Sequence, residues 1–497
     1  MLRKTVRFMC VLLTTLSLGF ALTGAAADFD KAYNAYDKGD YKTALDEWRV
    51  LANQGDAESQ LYLALMHQLG KGVPQDSTKA AQWFRRAAKQ GNVNAQFKLG
   101  LMYSLGQGVP KDSTKEAQWY RRAAEQGHVN AQLYLGLMYG KGEGVSQDYA
   151  EAAQWYRRAA EQGDVDAQFN LGLMYDEGQG VSQNHAEAAQ WYQRAAEQGQ
   201  LSAQLNLGVM YDIGQGVSQD YAKAAQWYRR AAEQGKVNAQ YRLGLMYYEG
   251  QGVSQDDAEA AQWYRRAAEQ GNVNAQLKLG TMHGLGKGVP QDYTKTAQWY
   301  RRAAEQGEVN AQYRLGLMYY EGQGVSQDDA EAAQWYRRAA EQGNVNAQLK
   351  LGPMYYRGQG VSQDYAEAAQ WFRRAAEQGN ANAQLKLGIM HFLGKGVPQD
   401  YTKTAQWYRR AAEQGEVNAQ YHLGLMYNKG TGVTRNPVMA YVVSNLAAAQ
   451  GNKKAREIRD IIAKTLSREQ IAEGQRMASE WRVGTPLPYF KDFKTWP

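Results

Sequence analysis

Tryptophan recurs at a fixed interval along this chain of 497 residues. A series of ten tryptophans lies at intervals of 36 residues: Trp83, Trp119, Trp155, Trp191, Trp227, Trp263, Trp299, Trp335, Trp371 and Trp407. A period in this range is typical of a solenoid, in which each repeat covers the apolar face of its neighbour. A chain of this length also exceeds what one compact core usually holds. We therefore expect an array of repeats.

The repeats can be aligned on the residue equivalent to Ser59, which is position 1 of the first copy. Ten further copies begin at Ala95, Ala131, Ala167, Ala203, Ala239, Ala275, Ala311, Ala347, Ala383 and Ala419, so that eleven repeats occupy residues 59–451. The 23 residues of Ala258–Gly280 return unchanged at Ala330–Gly352. In the last copy Val443 replaces the tryptophan.

Each repeat carries the start and stop signals of two helices. Glycines at positions 12 and 14 end the first helix, Asp or Asn at position 18 caps the second, and glycine at position 33 ends it. Asp256 and Glu259 have capping-box spacing, as do the equivalent residues of several other repeats. The alternating pattern of a strand is missing throughout. The sequence therefore predicts an all-α fold, an α/α superhelical solenoid of 36-residue helix–turn–helix repeats.

The recurrent segment "QWYRR" of the second helix has two interpretations. On a helical wheel, Trp263 and Tyr264 fall in one arc with four alanines, while Arg265 and Arg266 lie on the opposite side. We interpret the aromatic residues as core and the arginines as surface. A polyanion site built from the arginines is the alternative.

The stretch "AQYRLGLMYYEGQGVSQDDAEAAQWYRRAAEQG", residues 239–271, resembles the Sel1-like repeat, a long-loop relative of the tetratricopeptide repeat. Residues 28–58 resemble an ordinary tetratricopeptide unit that caps the array, and residues 452–497 resemble the capping helices and tail that follow such arrays, with Ser467 and Gln470 as a capping box. The resemblance implies an adaptor or scaffold for other proteins, and it does not in itself imply catalysis.

The first 27 residues are expected to be a signal peptide. Basic residues precede an apolar run, Phe8–Leu22, which is followed by an Ala-x-Ala cleavage site at residues 25–27. An uncleaved anchor is the alternative, although about 15 apolar residues fall short of the roughly 20 that span a bilayer. We predict a periplasmic or secreted protein without a stable membrane anchor. Because the only cysteine is Cys10, the mature chain would contain no thiol.

Charge and motifs argue against nucleic-acid binding and catalysis. Removal of residues 1–27 leaves 54 basic against 50 acidic residues, a bias too weak to favour nucleic acid. The chain has no P-loop, no His-Glu-x-x-His sequence and no nucleophile elbow. His67, His283 and His391 occupy position 9 of three repeats and mark a repeat subtype; a metal site that joined them is the less favoured alternative. We expect no enzyme activity, no cofactor and no metal.

The first helix of the repeat holds the stronger functional signal, because it is apolar on two opposite sides. In the repeat from Ala239, Leu243 and Tyr247 lie on the core side, whereas Tyr241 and Tyr248 lie on the other. Exposed apolar stripes of this kind usually bind a partner. The alternative is that the stripe packs against the first helices of adjacent repeats.

The candidate groove residues are aromatic residues at positions 3 and 10 and the arginines beside them. They are Tyr241, Arg242, Tyr248, Tyr313, Arg314, Tyr320, Tyr356 and Phe392. Position 10 is aspartate in Asp176 and Asp212, so the groove is expected to change character along the array. Large aromatic contacts edged by arginine are the residue types enriched in binding hot spots.

Two classes of function follow from these observations. We favour an exported, monomeric scaffold that binds a protein or peptide through the concave groove of the solenoid. The alternative is a cell-envelope polymer-binding protein or a β-lactam-interacting, hydrolase-like member of the same repeat class. Secreted relatives of the latter kind are cysteine-rich in every repeat, which this chain is not.

Overall fold

The computed structural model describes residues 27–488, which contain 26 α-helices and no strand. The helices are α1 Phe29–Asp37, α2 Tyr41–Asn53, α3 Ala57–Leu69, α4 Ser77–Lys89, α5 Val93–Leu105, α6 Ser113–Glu125, α7 Val129–Lys141, α8 Tyr149–Glu161, α9 Val165–Glu177, α10 His185–Glu197, α11 Leu201–Ile213, α12 Tyr221–Glu233, α13 Val237–Glu249, α14 Asp257–Glu269, α15 Val273–Leu285, α16 Tyr293–Glu305, α17 Val309–Glu321, α18 Asp329–Glu341, α19 Val345–Arg357, α20 Tyr365–Glu377, α21 Ala381–Leu393, α22 Tyr401–Glu413, α23 Val417–Lys429, α24 Pro437–Ala449, α25 Lys453–Ala463 and α26 Arg468–Glu480. The all-α prediction is confirmed.

The described residues form two compact bodies, which meet in sequence between Gln219 and Asp220. Residues 27–219 are called body N and residues 220–488 body C. Within each body, helices pair as the repeat predicts, each first helix packing on the second helix of its own repeat and on the second helix before it. The predicted signal peptide lies outside the described residues except for Ala27. None of helices α1–α26 is long and apolar enough to cross a membrane.

Helix ends follow the predicted signals. Gly250 ends α13 in the left-handed conformation, with φ of 72°, and its N–H donates to the carbonyl of Met246. Gly252 has φ of 67° and lies so close to the preceding repeat that a Cβ would be 2.1 Å from the carbonyl oxygen of Tyr221. Glycine at position 14 therefore lets the loop of one repeat rest on the second helix of the repeat before it.

The capping boxes within the repeats form only in part. The carboxylate of Asp256 accepts hydrogen bonds from the N–H groups of Ala258 and Glu259, both at 2.9 Å. Glu259 does not return the bond: its Oε1 accepts from Nε1 of Trp263 at 3.0 Å. A complete capping box is present at Ser467 and Gln470, as predicted.

The core is built as the helical wheel indicates. Trp263 and Tyr264 are buried, whereas Arg265 and Arg266 are exposed. Gly244 makes room for the ring of Tyr264, since a Cβ there would lie 2.8 Å from the ring. The guanidinium carbon of Arg266 lies 4.4 Å from the ring centroid of Trp263, and the other nine tryptophans of the series each carry the equivalent arginine. This geometry supports the structural interpretation of "QWYRR".

A series of buried glutamines joins consecutive repeats inside each body. Nε2 of Gln312, at position 2, donates to the carbonyl of Ala304 in the preceding repeat at 3.1 Å. Oε1 of Gln312 accepts from Nε2 of Gln342 in its own repeat at 2.8 Å. The bond to the preceding repeat recurs from Gln60 to Gln204 in body N and from Gln240 to Gln420 in body C. This glutamine ladder satisfies polar groups that would otherwise be buried unpaired at the interfaces.

Candidate functional site

All eight candidate groove residues lie on first helices of body C. The surface formed by positions 3, 4, 7 and 10 of these helices is called the first-helix face. Tyr241 and Tyr313, at position 3, are half-buried, and each ring packs 5.8 Å from the core tyrosine of its own repeat, Tyr264 or Tyr336. Burial raises the pKa of both position-3 phenols, which keeps them neutral.

Tyr248, at position 10 of α13, is half-buried beneath two lysines of the next repeat. The ammonium of Lys287 lies 3.9 Å from the ring centroid of Tyr248, and that of Lys278 lies 5.4 Å from it. Lys287 also lies 3.3 Å from the carboxylate of Asp257. The ring of Tyr248 is therefore in cation–π contact with lysine side chains.

The same arrangement recurs at position 10 of later repeats. The ammonium of Lys350 lies 5.3 Å from the ring centroid of Tyr320. Lys395 lies 5.3 Å from the ring of Tyr356 and donates a hydrogen bond to its hydroxyl at 3.2 Å. Tyr356 also contacts Tyr365 edge to face at 4.9 Å. Lysine thus accompanies each of these half-buried tyrosines.

Phe392, at position 10 of α21, is the most exposed of the aromatic candidates, with 41% of its surface accessible. It lines a cleft of about 420 Å³ together with Leu393, Tyr401 and His422. Phe392 contacts Tyr401 edge to face at 5.4 Å. The cleft is open and largely apolar, so it is suited to an aromatic or aliphatic side chain.

His422 forms one wall of this cleft, and its ring stacks on Tyr408 at 5.4 Å. Burial lowers the pKa of His422, and the charge of Lys454 lowers it further. The imidazole is therefore neutral at pH 7 and presents an aromatic surface to the cleft.

Arg242 and Arg314, at position 4, are exposed at the edge of the first-helix face. The guanidinium of Arg314 lies 5.9 Å from the ring centroid of Tyr300 in the preceding repeat. The candidate residues are therefore partly packed and partly accessible, and both sequence interpretations of the aromatic stripe have a physical basis. A role for the eight residues in binding stays a prediction.

Body N presents a different surface at the same positions. Asp176, at position 10, has its Oδ1 2.8 Å from Nδ1 of His185, and its Oδ2 accepts from the hydroxyl of Tyr192 at 3.5 Å. In this repeat an aspartate with polar partners thus stands where the repeats of body C have a tyrosine in contact with lysine. This change is consistent with the predicted change of character along the array.

Two of the three histidines of position 9, His283 and His391, have local partners. Nδ1 of His283 lies 3.4 Å from the carbonyl of Pro290, and Nδ1 of His391 lies 3.3 Å from that of Pro398. Burial is the largest cause that lowers the pKa of both imidazoles. Among residues 27–488 no group of three or more His, Cys, Asp or Glu residues is placed to hold a metal ion.

The lysine partners of the tyrosines were missed by sequence reasoning. Lys287 and Lys395 stand at position 13, in the loop of the repeat that follows the tyrosine. Their contact with the preceding repeat depends on how one loop rests on the helices before it. One signal in the sequence could have indicated them. Position 13 is lysine in only three repeats, at Lys71, Lys287 and Lys395, and each of these repeats follows a unit with a tyrosine that its lysine contacts.

The family assignment rests on the repeats. The family model described as Sel1 repeat matches residues 57–92, 93–128, 129–164, 165–200, 201–236, 237–272, 273–308, 309–344, 345–380, 381–416 and 417–452. The chain belongs to the Sel1 repeat family. Eleven Sel1 repeats confirm the predicted number, although the family model starts each one two residues before position 1.

Solved structures of Sel1 repeat proteins support the fold. The crystal structure of c5321, a protective antigen of uropathogenic Escherichia coli with an SLR fold, is similar at 39% identity with a TM-score of 0.70, over 88% of this chain and 94% of that one. A Sel1 repeat protein from Oxalobacter formigenes is similar at 40% identity with a TM-score of 0.52, over 62% and 89%. The comparison with curated proteins found no match. The Sel1 repeats thus build a solenoid, a fold that serves widely as a scaffold for protein interactions.

Proposed function

We propose that this Sel1 repeat protein is an exported, non-catalytic scaffold that binds a segment of a partner protein along the first-helix face of body C. The observation that carries the proposal is the recurrence of accessible aromatic surface at one position of four repeats, Tyr248, Tyr320, Tyr356 and Phe392. The cleft beside Phe392 offers a place for an anchoring side chain.

A protein partner fits this face better than a sugar polymer. Sugars bind aromatic residues by lying flat against a free ring face. The ring of Tyr248 is covered by Lys287 at 3.9 Å, and Lys350 lies over Tyr320. The hydroxyl groups of a neutral sugar accept only ordinary hydrogen bonds from these ammonium groups, whereas the carboxylates of a protein accept stronger, charge-assisted ones.

The aromatic residues can be tested together. The triple variant Tyr248→Ser, Tyr320→Ser, Phe392→Ser should no longer capture the partner that the parent chain captures from cell-envelope extract, as identified by mass spectrometry. The double variant Tyr134→Ser, Tyr149→Ser is a matched control, because both tyrosines are 39% exposed and lie in body N. Capture should survive in this control.

Thermal unfolding separates binding from packing. Truncation of a half-buried ring lowers the free energy of unfolding by on the order of 1 kcal/mol, whereas truncation of a fully buried aromatic residue lowers it by about 3 to 5 kcal/mol. A triple variant that keeps a cooperative transition and loses its partner supports the proposal. A variant that stays folded and still captures the partner, or one that no longer folds, removes this face as the binding site.

Export is part of the same proposal. The Ala-x-Ala site supports cleavage after Ala27, which would release a chain that starts at Asp28. N-terminal sequencing of protein from the periplasm and the culture medium tests this directly. Material that retains Met1 and sediments with membranes would contradict it.

A further inference from the structure

Consecutive units of the array form a recurrent slot, which receives the ammonium group of a lysine in three places. Nζ of Lys287, at position 13, lies 3.9 Å from the ring centroid of Tyr248 and 3.3 Å from the carboxylate of Asp257, both in the preceding repeat. Lys71 and Lys395 likewise lie over tyrosine rings of the preceding unit. This place, bounded by positions 4 and 13 of one repeat and positions 10, 19 and 22 of the one before it, is called the ammonium slot.

Position 13 supplies a partner for a carboxylate in the slot at two interfaces of body C. Lys287 pairs with an aspartate of the preceding repeat, and Nε2 of Gln359 donates to the carboxylate of Asp329 at 3.2 Å. The slot between the second and third repeats is different. There position 13 is Glu143, and the carboxylate that it meets in the preceding repeat is Glu116. Two acidic residues therefore share a slot that holds a lysine elsewhere.

Glu116 is a half-buried residue without a cationic partner. It stands at position 22, where all the other repeats carry alanine or threonine. Within residues 27–488, no lysine, arginine or histidine nitrogen lies within 4.0 Å of the carboxylate of Glu116 or Glu143. Burial is the largest cause that raises the pKa of Glu116; a hydrogen bond from Ser104 lowers it, the charge of Glu143 raises it, and that of Lys111 lowers it. A bound cation would relieve both the burial cost and the repulsion.

An accessible aromatic ring lies beside these carboxylates. Tyr134, at position 4 of the third repeat, is 39% exposed, and its ring stacks on that of Tyr120 at 5.5 Å. Phe97 lies 5.6 Å from Tyr120 and stacks on His128 at 4.4 Å. Burial raises the pKa of Tyr120, and the nearby charge of Glu116 raises it further. In the described part of the chain, no lysine or arginine lies over the ring of Tyr134.

We propose that the slot between the second and third repeats binds the ammonium group of a lysine side chain from another protein. The ammonium group lies against the open ring of Tyr134 and donates hydrogen bonds to the carboxylates of Glu116 and Glu143. Lysine is the expected residue, because all three slots that the chain fills itself hold lysine. The inference goes beyond the proposed function, since this site lies in body N and the first-helix face belongs to body C.

A pair of small probes tests the chemistry of the slot. Nα-acetyl-lysine methylamide carries the ammonium group, and Nα-acetyl-norleucine methylamide carries an apolar side chain without it. Saturation-transfer difference NMR with the full chain should show transfer to the ε-methylene protons of the lysine probe. Titration should give binding at least about fivefold weaker for the norleucine probe, which lacks both the cation–π contact and the ion pair. Raised salt should weaken only the lysine probe.

A charge-matched pair of protein variants locates the site. Glu143→Lys places a lysine at position 13, so that the chain fills this slot as Lys287 fills its own. Binding of the lysine probe should become at least about fivefold weaker, because one carboxylate is lost and the slot is occupied. The thermal midpoint should rise, since an ion pair replaces repulsion. The control Glu161→Lys makes the same change of charge at an exposed position of α8 in the same repeat and should leave binding unchanged.

Three results would overturn the inference: equal binding of the two probes, equal effects of the two variants, or tighter binding of free cadaverine, which would assign the slot to a small diamine. Circular dichroism of each variant verifies that the helices are retained. The double variant Tyr134→Ser, Tyr149→Ser separates this site from the scaffold proposal, because it should lose the lysine probe and still capture the envelope partner. A double variant that keeps the probe refutes the lysine site, whatever the result of capture.

Discussion

The glutamine ladder predicts how a change at one interface propagates through body C. Gln312 is 4% exposed and makes two hydrogen bonds, one to Ala304 in the preceding repeat and one from Gln342 in its own. Gln312→Leu keeps a side chain of similar size and removes both bonds. A neutral hydrogen bond contributes about 0.5–1.5 kcal/mol, and the gain in apolar burial offsets part of the loss, so we expect a net cost of about 1–2 kcal/mol.

The expected cost of Gln312→Leu depends on how well its two former partners are satisfied without it. The carbonyl of Ala304 still accepts from the N–H of Gly307 at 3.0 Å, so it is not left wholly unsatisfied. Gln342 is exposed and can bond to water. The variant Gln342→Leu should therefore cost less than Gln312→Leu, and the double variant should reveal a coupling of about 0.5–1 kcal/mol between them.

Native-state hydrogen exchange measures the effect where it arises. In a repeat array each repeat contacts only its neighbours, so the loss should concentrate in α16, α17 and α18. A cost of about 1–2 kcal/mol corresponds to a roughly 5- to 30-fold loss of protection in these helices. Protection in α23 and α24 should be unchanged. An equal loss in all helices of body C, or no loss near Gln312, would refute this reasoning.

Two further predictions concern glycine and histidine. Gly252→Ala should destabilise body C by several kcal/mol, because a Cβ would lie 2.1 Å from the carbonyl oxygen of Tyr221. Gly271 has φ of 92° and open space around it, so Gly271→Ala should cost only about 1 kcal/mol. Equal losses of stability in thermal unfolding would contradict this difference. Burial lowers the folded-state pKa of His283, so its contribution to stability is present above the unfolded value near 6.5 and is lost as the pH falls below it. His283→Tyr should flatten the decline of the urea midpoint between pH 7 and 5, and an unchanged slope would show that His283 is not its cause.

The fold could be predicted because its determinants are local. Asp256 and Gly250 set helix ends within a few residues of themselves, and the wheel of the second helix separates Trp263 and Tyr264 from Arg265. These signals recur with the same spacing along the array, except that Val443 and Ser444 replace the Trp and Tyr in the last repeat. Helix type, helix ends and core residues therefore follow from short stretches of sequence.

The details of the candidate site depend on contacts between repeats. Glu259 has the spacing of a capping box, yet it bonds Trp263, because the indole lies one turn away on the same helix. Lys287 reaches Tyr248 from the loop of the next repeat, 39 residues away in sequence. The half-burial of Tyr241 likewise depends on the distance between neighbouring helices. The helical wheel contains no information on such distances.

The glutamine ladder also bears on how such a chain can evolve. Each Gln at position 2 uses the same atoms to reach the same partner in the repeat before it, so one interface can replace another. The segments Ala258–Gly280 and Ala330–Gly352 are identical. Recombination between their coding sequences would delete two whole repeats. Each position-2 glutamine that remains would still find its carbonyl acceptor in the repeat before it. The length of the first-helix face can thus change by unequal crossing-over, without the need for a new kind of contact between repeats.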